Sequence, residues 1–558
     1  MSDNHPNPAA ADTPVRPARV VPVELATLAA LIGADAPAAD VLVGGVSLDS
    51  RAILPGDLYL ALPGARSHGA DFAEAAVAAG AVAVLSDADG AARLAGRVDV
   101  PVLVVPSPRK AAGTVAAAIY GTHASADSVP PSAPGSAPMA LFGVTGTNGK
   151  TTTTYFINSL LQALGRGTGL IGTIEILAGN VAIPSKLTTP ESTDVHALLA
   201  LMRERGLGAA SMEVSSHALE FGRVDGVVFD VAGFTNLTQD HLDLHGSMAG
   251  YAAVKAQLFT PSHARRAVVT VDDDWGLALA ARATVPVATL RTTAASTQAG
   301  AAADAQWQVS GVEPAGLGSR FTLAGPDGVE LALHTGLPGD FNVANAALAA
   351  TMVLEQLTAA GGTLSEAAAQ VQAAADAHDP FTVAVPGRMQ LVAREPAAIV
   401  DFAHNPDALQ RALGAVRSTD ASSRVIVVFG ATGQRDATKR PTMGAVAVRG
   451  ADVVIVTDDD PHDEDAASIR AGVLAGARAA VAAEGLATVV EEVFPRADAI
   501  VRAVELAHAR DTILVAGRGH EVLQEVQGVN LPLDDRVELR TALAARGFTP
   551  EPVAGIES

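Results

Sequence analysis

The chain contains no cysteine, and its basic residues are far outnumbered by acidic ones. Without cysteine there can be no disulfide, no thiolate metal site and no cysteine nucleophile, which fits a reducing compartment. The 60 acidic residues against 38 basic ones give a net charge of −22. This charge argues against a nucleic-acid or anionic-membrane partner, because either favours a basic protein surface. A few lysines and arginines can still line a cleft for an anionic small substrate.

The sequence also lacks a long hydrophobic run. No apolar stretch reaches the ~18 residues of a membrane-spanning helix, and the N-terminus shows no basic segment followed by an apolar one. Hydrophobic residues make up 49% of the chain and charged residues 18%, as in globular domains. We therefore expect a cytoplasmic protein without membrane insertion, divided into several domains of ~150 residues.

Changes in composition divide the chain into segments. Residues 1–20 are rich in Pro, Ala and Asp without a hydrophobic period, which predicts a disordered tail. Residues 21–124 read as a small α/β domain, and residues 125–138 as a Pro- and Ser-rich linker. Residues 139–384 and 385–558 each alternate apolar strands with helices. This alternation predicts mostly parallel sheets that bind ligands beyond the carboxyl ends of their strands.

The strongest single motif is Gly146-Thr147-Asn148-Gly149-Lys150-Thr151, which follows an apolar run and precedes a helical pattern. Gly146 and Gly149 allow backbone N–H groups to close on phosphate oxygens, Lys150 supplies a positive charge, and the Thr151 hydroxyl can hold Mg²⁺. The strict phosphate-loop pattern has a glycine at position 144, where this chain has valine. The motif therefore predicts a variant phosphate-binding loop.

Polar residues also gather where other predicted strands end. In the central domain, Glu213 closes an apolar strand, and Asp240 and His241 lie in a loop after the next one; such groups can hold Mg²⁺ and orient an anionic substrate. In the third domain, charged loops follow four strands, at residues 401–407, 430–440, 458–465 and 517–521. Any one of these loops could be an ordinary helix cap or a solvated loop.

Together these motifs resemble the Mur ligase family, whose members build the peptide stem of peptidoglycan. The resemblance is carried by the phosphate loop, Glu213 to His217, Thr235-Asn236-Leu237 with Asp240-His241, and Asp401 to Pro406. Three further motifs narrow it to the branch that adds the third residue of the stem: Leu48 to Arg51, Thr188-Thr189-Pro190 and Gly517 to Glu521. The resemblance implies an α/β, three-domain Mur ligase architecture, with a UDP-binding N-terminal domain, a central P-loop parallel-sheet domain and a Rossmann-like C-terminal domain.

The activity implied by this resemblance is ATP-dependent amide formation in peptidoglycan synthesis, and so in cell wall biogenesis, cell shape and cell division. The D-Glu carboxylate of UDP-MurNAc-L-Ala-D-Glu attacks the γ-phosphate of ATP, and the amine of the third amino acid then attacks the resulting acyl phosphate. Positioning and charge neutralisation dominate such chemistry. The implied partners are ATP, Mg²⁺, the nucleotide-linked dipeptide and a dibasic amino acid, bound by a monomer.

Site residues are carried over from the family by position. The predicted ATP site consists of Gly146, Thr147, Asn148, Gly149, Lys150, Thr151 and Thr152. The predicted catalytic and metal-binding residues are Lys150, Thr151, Glu213, His241 and Lys255, the last modified to N6-carboxylysine. The predicted UDP-MurNAc-dipeptide site consists of Leu48, Ser50, Thr188, Thr189, Ser215 and Arg223. The predicted amino-acid site consists of Arg435, Asp459, Asp460, His462, Gly517 and Glu521.

The identity of the third amino acid depends on the loop at residues 459–462. Relatives that add meso-diaminopimelate carry Asp-Asn-Pro-Arg there, whereas this chain has Asp459-Asp460-Pro461-His462. One imidazole cannot make a bidentate clamp on a distal carboxylate. An acidic run, Asp463 to Asp465, follows and could suit a free ammonium group, although such runs are often solvated. We therefore expect L-lysine or L-ornithine, with meso-diaminopimelate as the alternative.

Two other functions share some of these motifs. A folylpolyglutamate-synthetase-like ligase would have the phosphate loop but no uridine-nucleotide domain in front of it. A catalytically inactive nucleotide-binding scaffold would not need Lys150, Glu213, His241, Lys255 and Asp401 together. The amino-acid site and the phosphate loop fall in different domains, so we also expect the last domain to close over the central one.

Overall fold

The computed structural model describes residues 15–552 except 38, 65–66, 123–137, 186, 293–304, 419 and 421. Most of the predicted tail and nearly all of the predicted linker therefore lie outside the described residues. Residues 15–20 differ from the expected disordered tail, because Arg16 forms an ion pair with buried Asp57 at 2.5 Å. The backbone amides of Ala18 and Arg19 also donate to the carboxylate of Glu204.

The first domain is a small four-stranded parallel sheet with helices packed against it. The elements are β1 (Val23–Glu24), α1 (Leu25–Ile32), β2 (Leu42–Val43), β3 (Gly45–Ser47), β4 (Asp57–Leu60), α2 (Ala73–Ala78), β5 (Ala83–Ser86), α3 (Ala88–Leu94), β6 (Val102–Val104) and α4 (Pro108–Ile119). The strand order of the sheet is β3-β4-β5-β6, and β1 and β2 form a separate short antiparallel ribbon. Helix α4 packs on the central domain, whose Ala197 joins the apolar core of the first domain.

The central domain is built on an 11-stranded sheet. Its elements are β7 (Ala140–Thr145), α5 (Lys150–Ala163), β8 (Thr168–Ile171), β9 (Glu175–Ala178), β10 (Val181–Pro184), α6 (Ser192–Glu204), β11 (Ala209–Glu213), α7 (Ser216–Glu220), β12 (Val231–Phe234), α8 (Leu242–His245), α9 (Met248–Ala256), β13 (Ala267–Thr270), α10 (Asp274–Arg282), β14 (Val287–Arg291), β15 (Trp307–Ala315), β16 (Gly318–Ala324), β17 (Glu330–Thr335), α11 (Asp340–Ala359) and α12 (Leu364–His378).

Seven parallel strands form the centre of this sheet, in the order β8-β11-β7-β12-β13-β14-β15. The parallel strands predicted from the sequence are present, but the antiparallel pairs at the two edges, β9-β10 and β16-β17, were not predicted. Separate apolar clusters cover the two faces, as expected for a parallel sheet enclosed by helices. The phosphate loop follows β7, Thr235 follows β12, and Glu213 is the last residue of β11. All three therefore lie at the carboxyl ends of neighbouring central strands.

The third domain is built on a six-stranded sheet. The elements are β18 (Gln390–Arg394), β19 (Ala397–Asp401), α13 (Pro406–Val416), β20 (Val425–Phe429), α14 (Lys439–Gly450), β21 (Val453–Val456), α15 (Ala466–Glu484), β22 (Val489–Glu492), α16 (Arg496–Leu506), β23 (Thr512–Ala516), β24 (Leu523–Val526), β25 (Val529–Pro532) and α17 (Asp535–Ala545).

The strand order in this sheet is β18-β19-β23-β20-β21-β22. Five strands are parallel and edge strand β18 is antiparallel, which confirms the Rossmann-like prediction.

Helix α15 is long and apolar enough to cross a membrane by length and composition alone. In the structure it packs against α14 and β22, and Val473, Leu474 and Ala477 are buried in the core of the third domain. Its apolar residues therefore contribute to the core of the third domain.

Candidate active site

A cavity of about 820 Å³ lies where the central and third domains face each other. The carboxyl ends of β7, β11 and β12 open onto it from one side, and those of β19, β20 and β23 from the other. The predicted site residues that line it are Thr147, Asn148, Gly149, Lys150, Thr151, Thr152, Thr188, Glu213, Ser215, Arg223, His241, Arg435 and Glu521. The fold thus brings motifs separated by more than 300 residues to one site.

The phosphate loop needs both of its glycines. Gly146 and Gly149 have φ angles of 150° and 91°, in the region that favours glycine. A Cβ at position 146 would lie 1.8 Å from Oγ1 of Thr235, and one at position 149 would lie 2.4 Å from Oδ1 of Asn345. The loop is therefore packed too closely for any side chain at these two positions.

Two lysines meet on one carbonyl oxygen of this loop. Nζ of Lys150 donates to the carbonyl of Gly146 at 3.0 Å, and Nζ of Lys255 donates to the same oxygen at 2.9 Å. Burial lowers the pKa of both amines, and that of Lys255 falls well below its usual range, with Lys150 adding to the effect. Tyr251 covers the Lys255 amine with its ring at 4.6 Å. Lys255 is therefore not the surface lysine that its helix position alone would suggest.

Glu213 is buried among hydroxyl groups. Its Oε2 accepts hydrogen bonds from Oγ1 of Thr151 at 2.9 Å and Oγ1 of Thr173 at 3.1 Å, and its Oε1 accepts from the Thr173 amide. The Thr173 hydroxyl also lies 3.1 Å from that of Thr188. The close approach of a carboxylate and a hydroxyl beside the phosphate loop gives the hard oxygen donors that suit Mg²⁺.

His241 lies at the cavity wall in a left-handed backbone conformation, with φ of 53°. Burial lowers the pKa of its imidazole to about 4, so the ring is neutral at pH 7 and one ring nitrogen is available as a ligand. Burial opposes ionisation of the neighbouring Asp240, but the approach of His404 and the charges nearby hold its pKa below the usual range. His404 belongs to the third domain, and its Nε2 lies 3.7 Å from Oδ2 of Asp240.

The residues predicted to bind the nucleotide-linked dipeptide fall into two groups. Thr188, Ser215 and Arg223 line the cavity, whereas the buried hydroxyl of Thr189 donates to the carbonyl of Glu213 at 2.7 Å. Thr189 thus fixes the strand end instead of facing the cavity. Leu48 and Ser50 form a separate location, because they follow β3 in the first domain and do not line this cavity. The family resemblance also assigns Ala65, Arg66 and Ser67 to the nucleotide site, and residues 65 and 66 lie outside the described residues.

Two of the predicted amino-acid residues, Asp459 and Asp460, lie close to Glu521. Carboxylate oxygens of Asp459, Asp460 and Glu521 lie within 4.8 Å of one another. Burial, followed by the charge of Asp459, raises the pKa of Glu521 to about 8. Oδ2 of Asp459 is buried without a hydrogen-bond partner. Gly517 lies against this cluster with φ of 115°, and a Cβ there would lie 2.6 Å from the same Oδ2. Nη1 of Arg518 pairs with Asp460 and lies 3.7 Å from Oε2 of Glu521, so Oδ2 of Asp459 is the cluster oxygen suited to an ammonium group.

Two basic residues of the predicted amino-acid site occupy different environments. Arg435 is exposed and lines the cavity. His462 is not among the cavity-lining residues; its Nδ1 lies 3.0 Å from Oε2 of Glu525, on β24. The hairpin β24-β25 therefore holds the loop at residues 459–462 from outside, with the Glu525 amide donating to Asp460 at 3.1 Å.

Sequence reasoning missed several polar residues of the cavity. Arg388 is half-buried, donates to Oγ1 of Thr151 at 3.2 Å and lies over the ring of Phe402 at 4.1 Å. Asn345, on α11, accepts a hydrogen bond from the Thr153 hydroxyl. A buried asparagine within an otherwise apolar helix, and an arginine directly after Pro386-Gly387, were the signals that could have drawn attention to them.

Comparison with known proteins places this geometry in a family. The Mur ligase middle domain matches residues 144–353, the glutamate ligase domain of Mur ligases matches residues 387–519, and the Mur ligase family catalytic domain matches residues 42–120. The last match favours the Mur ligase interpretation over the folylpolyglutamate alternative, since it covers the domain in front of the phosphate loop.

Relatives cover almost the whole chain. The UDP-N-acetylmuramoyl-L-alanyl-D-glutamate--2,6-diaminopimelate ligase of Streptomyces coelicolor is 45% identical over 95% of this chain and 98% of its own length. The UDP-N-acetylmuramyl-tripeptide synthetase of Leifsonia xyli subsp. xyli is 44% identical over 96% of this chain and 99% of its own. A solved structure of a 2,6-diaminopimelate ligase of this type covers 95% of the chain at 30% identity, with a TM-score of 0.61. The chain belongs to the Mur ligase family and is an ATP-dependent peptide ligase.

Proposed function

We propose that this ligase joins meso-diaminopimelate to UDP-MurNAc-L-Ala-D-Glu, as the third residue of the peptidoglycan stem, in the cytoplasm. The observation that carries the proposal is that one cavity connects the phosphate loop with Arg435 and with Glu521, the member of the acidic cluster that lines it. A cavity of this kind can receive a nucleoside triphosphate at one end and a zwitterionic amino acid at the other.

The central-domain side of the cavity is suited to phosphoryl transfer. The loop amides and Lys150 would hold the phosphates of ATP, while Arg223, Ser215 and Thr188 would hold the dipeptide. The D-Glu carboxylate oxygen attacks the γ-phosphorus, the bond to the β-phosphate oxygen breaks, and ADP leaves. Arg388 lies beside Thr151 and would add positive charge where the transferred phosphoryl group passes.

Thr151, Glu213, His241 and Lys255, the last as its carbamate, would hold Mg²⁺. Bound there, Mg²⁺ supplies neutralisation of the phosphate charge. The donor chemistry fits, because Thr151 and Glu213 already share a hydrogen bond, and burial lowers the pKa of the Lys255 amine and so favours the neutral form that reacts with carbon dioxide.

The third-domain side is suited to delivery of the amine. Arg435 would bind a carboxylate of the incoming amino acid, and the cluster around Glu521 would bind an ammonium group. The free amine attacks the acyl carbon, the bond to the phosphate oxygen breaks, and inorganic phosphate leaves. No covalent bond to the enzyme is needed, so correct placement of the two substrates accounts for the catalysis.

The relatives and the sequence of the loop at residues 459–462 favour different third amino acids. The relatives support meso-diaminopimelate better than the L-lysine or L-ornithine expected from the loop, since most of those compared are named for 2,6-diaminopimelate. The missing guanidinium at position 462 therefore does not by itself exclude a distal carboxylate, because Arg435 offers another cation at the same cavity.

L-lysine and L-ornithine remain the second candidates on one specific observation. The residue at position 462 is an imidazole held 3.0 Å from the carboxylate of Glu525, which would repel a distal carboxylate placed nearby. A side chain that ends in an ammonium group alone would meet no such repulsion.

The test supplies purified enzyme with ATP, Mg²⁺ and UDP-MurNAc-L-Ala-D-Glu, and with meso-diaminopimelate, L-lysine or L-ornithine in parallel reactions, and identifies products by mass. We expect the meso-diaminopimelate product to form with the highest kcat/KM. Preference for lysine or ornithine would overturn the choice of amino acid and leave the ligase assignment intact. Phosphate release that ignores the nucleotide-linked dipeptide would overturn the proposal as a whole. Size-exclusion chromatography with light scattering would test the expected monomer.

A further inference from the structure

One carboxylate beside the cavity contacts arginines from two domains. Glu191 directly precedes helix α6, and 25% of its side chain is exposed. Its Oε1 lies 3.1 Å from Nε of Arg223, and its Oε2 lies 3.3 Å from Nη1 of Arg109. Arg223 lines the cavity of the central domain, whereas Arg109 belongs to α4 of the first domain. Each oxygen of Glu191 therefore faces a guanidinium from a different domain.

The helix does not account for this carboxylate. Glu191 occupies the N-cap position of α6, but its side chain makes no capping hydrogen bond. Ser, Thr, Asp or Asn would stabilise that position better. The Glu191 carbonyl accepts hydrogen bonds from the amides of Asp194 and Val195, so the backbone at this point is fixed. The carboxylate is thus anchored and directed at the two arginines.

Arg223 is held on one side and open on another. Nε lies 3.1 Å from Oε1 of Glu191 in an ion pair without hydrogen-bond geometry, and Nη1 donates to the carbonyl of Thr189 at 3.3 Å. Among the described residues, none accepts a hydrogen bond from Nη2 of Arg223. The guanidinium is planar, so fixing two of its nitrogens also fixes the direction of the third. Only 15% of the side chain is exposed, which further limits its alternative orientations.

We propose that Glu191 is a positioning residue for the nucleotide-linked dipeptide. It orients Arg223 so that the remaining N–H groups meet an anionic group of the substrate, and this role does not depend on its second contact, with Arg109 of the first domain. This inference rests on the proposed use of UDP-MurNAc-L-Ala-D-Glu. Pre-orienting the arginine lowers the entropy lost when the substrate binds, so the effect belongs to substrate affinity and not to the chemical step.

The test is steady-state kinetics of E191Q, which keeps the size of the side chain and removes its charge. We expect KM for UDP-MurNAc-L-Ala-D-Glu to rise about five- to twentyfold, while kcat and the KM values for ATP and the amino acid stay within about twofold. E191D keeps the charge and should lie between E191Q and the wild type. Adding E191Q to R223M should have no further effect, because the oriented group is already gone.

E484Q is the matched control, because Glu484 pairs with Arg449 at 2.6 Å on the surface of the third domain, away from the cavity. It should leave every kinetic constant unchanged. An unchanged KM for the nucleotide-linked dipeptide in folded E191Q would overturn the inference, as would equal rises in all three KM values. If R109M reproduced the E191Q effect, domain attachment and not the orientation of Arg223 would be responsible.

The outcome can be separated from that of the proposed function. Absence of product from the wild-type enzyme with every amino acid would overturn the proposed function alone. Calorimetric titration of the wild type and E191Q with UDP-MurNAc-L-Ala-D-Glu would then decide the role of Glu191. Equal affinities would overturn it, and a weaker affinity of E191Q would support it.

Discussion

At the scale of single residues, the site is defined by charged groups removed from water. Lys255 is 1% exposed, although the sequence places it on an ordinary amphipathic helix. Desolvation disfavours its ammonium form, and Lys150 nearby disfavours it further. A neutral buried amine is a nucleophile toward carbon dioxide, whereas an ammonium group is not. The environment therefore supplies the chemical condition for the carbamate that the family resemblance implies.

We predict that K255A lowers turnover by at least ~10-fold, because a metal-binding anion is lost. Added acetate should restore part of the activity by supplying a carboxylate in the space that the side chain leaves. K110M, at an exposed lysine of the first domain, is the control and should behave as the wild type. Full activity of K255A in buffer free of bicarbonate and acetate would contradict the assignment.

Glu521 predicts a pH dependence. Its raised pKa of about 8 means that the group is protonated at neutral pH and becomes a carboxylate as the pH rises through that value. An ammonium group binds the carboxylate, so KM for the amino acid should fall as the pH rises through about 8. The pKa of Glu521 in the folded protein lies above the usual 4.5, so the folded state holds the proton more tightly than the unfolded state. The free energy of unfolding should therefore decrease as the pH rises from about 4.5 to about 8.

E521Q should raise KM for the amino acid and abolish its dependence on pH across this interval. KM for ATP, measured in the same buffers, serves as the reference for general effects of pH. A KM for the amino acid that is flat in the wild type would show that Glu521 does not receive the ammonium group.

At the scale of elements, a buried ion pair joins the strand ends that carry the acidic cluster. Arg496 and Asp535 are both fully buried, and their side chains meet at 2.7 Å. Arg496 also donates to the carbonyls of Asp458 and Ala516, at 3.1 Å and 2.9 Å. These carbonyls immediately precede Asp459 and Gly517. The pair thus fixes the separation of β21 and β23 where the amino acid would bind.

We predict that D535N lowers the free energy of unfolding of the third domain by roughly 3–5 kcal/mol, because it leaves a buried guanidinium without its counter-charge. Urea unfolding monitored by circular dichroism measures the change. E74Q, which breaks an exposed pair with Arg97 in the first domain, should cause no resolvable change. A similarly small effect of D535N would mean that the carbonyl contacts alone hold the strand ends.

Elements and their catalytic ends were predictable to different degrees. Apolar runs such as Val425–Phe429 predict buried parallel strands. The polar residues that follow these runs predict that ligands bind at the carboxyl ends of the strands. The antiparallel strands β16 and β17 were missed because their half-buried alternation is weaker than a continuous apolar run. The hairpin β24-β25 was missed because it is largely exposed and gains its contacts from the loop at residue 462.

Proximity across long separations was not predictable from spacing. Arg388 and Thr151 are 237 residues apart, and only the joining of two domains brings them into contact. The same holds for Arg109 and Glu191. Many of the motif residues identified through the family resemblance line one cavity, whereas residues without a motif could be found only in three dimensions.

At the scale of the whole molecule, polar contacts join the central and third domains across the cavity. Asn148 of the phosphate loop donates to Asp407 at 3.1 Å and accepts from Asn405 at 3.2 Å. The contact between Asp240 and His404 also joins the two domains. All three contacts are polar, and water can replace each of them. Interfaces of this polar kind allow domains to move.

We predict that small-angle scattering of the free enzyme shows a larger radius of gyration than the described arrangement, and that ATP analogue with UDP-MurNAc-L-Ala-D-Glu reduces it. D407A should shift the ligand-bound enzyme toward the larger value, because one cross-domain bond is lost. D420A, at an exposed aspartate of the third domain, is the control. No compaction with both ligands would count against closure of the last domain.

The shared carbonyl of Gly146 links two events, the binding of phosphate by Lys150 and the formation of a carbamate on Lys255. Both lysine amines donate to this one oxygen, so any phosphate that draws Lys150 away changes the surroundings of Lys255. A carbamate on Lys255 would in turn be an anion beside the Lys150 cation. By thermodynamic linkage, carbamate formation on Lys255 must change the affinity for ATP by the same factor by which ATP changes carbamate formation. Nucleotide affinity would therefore depend on the concentration of dissolved carbon dioxide.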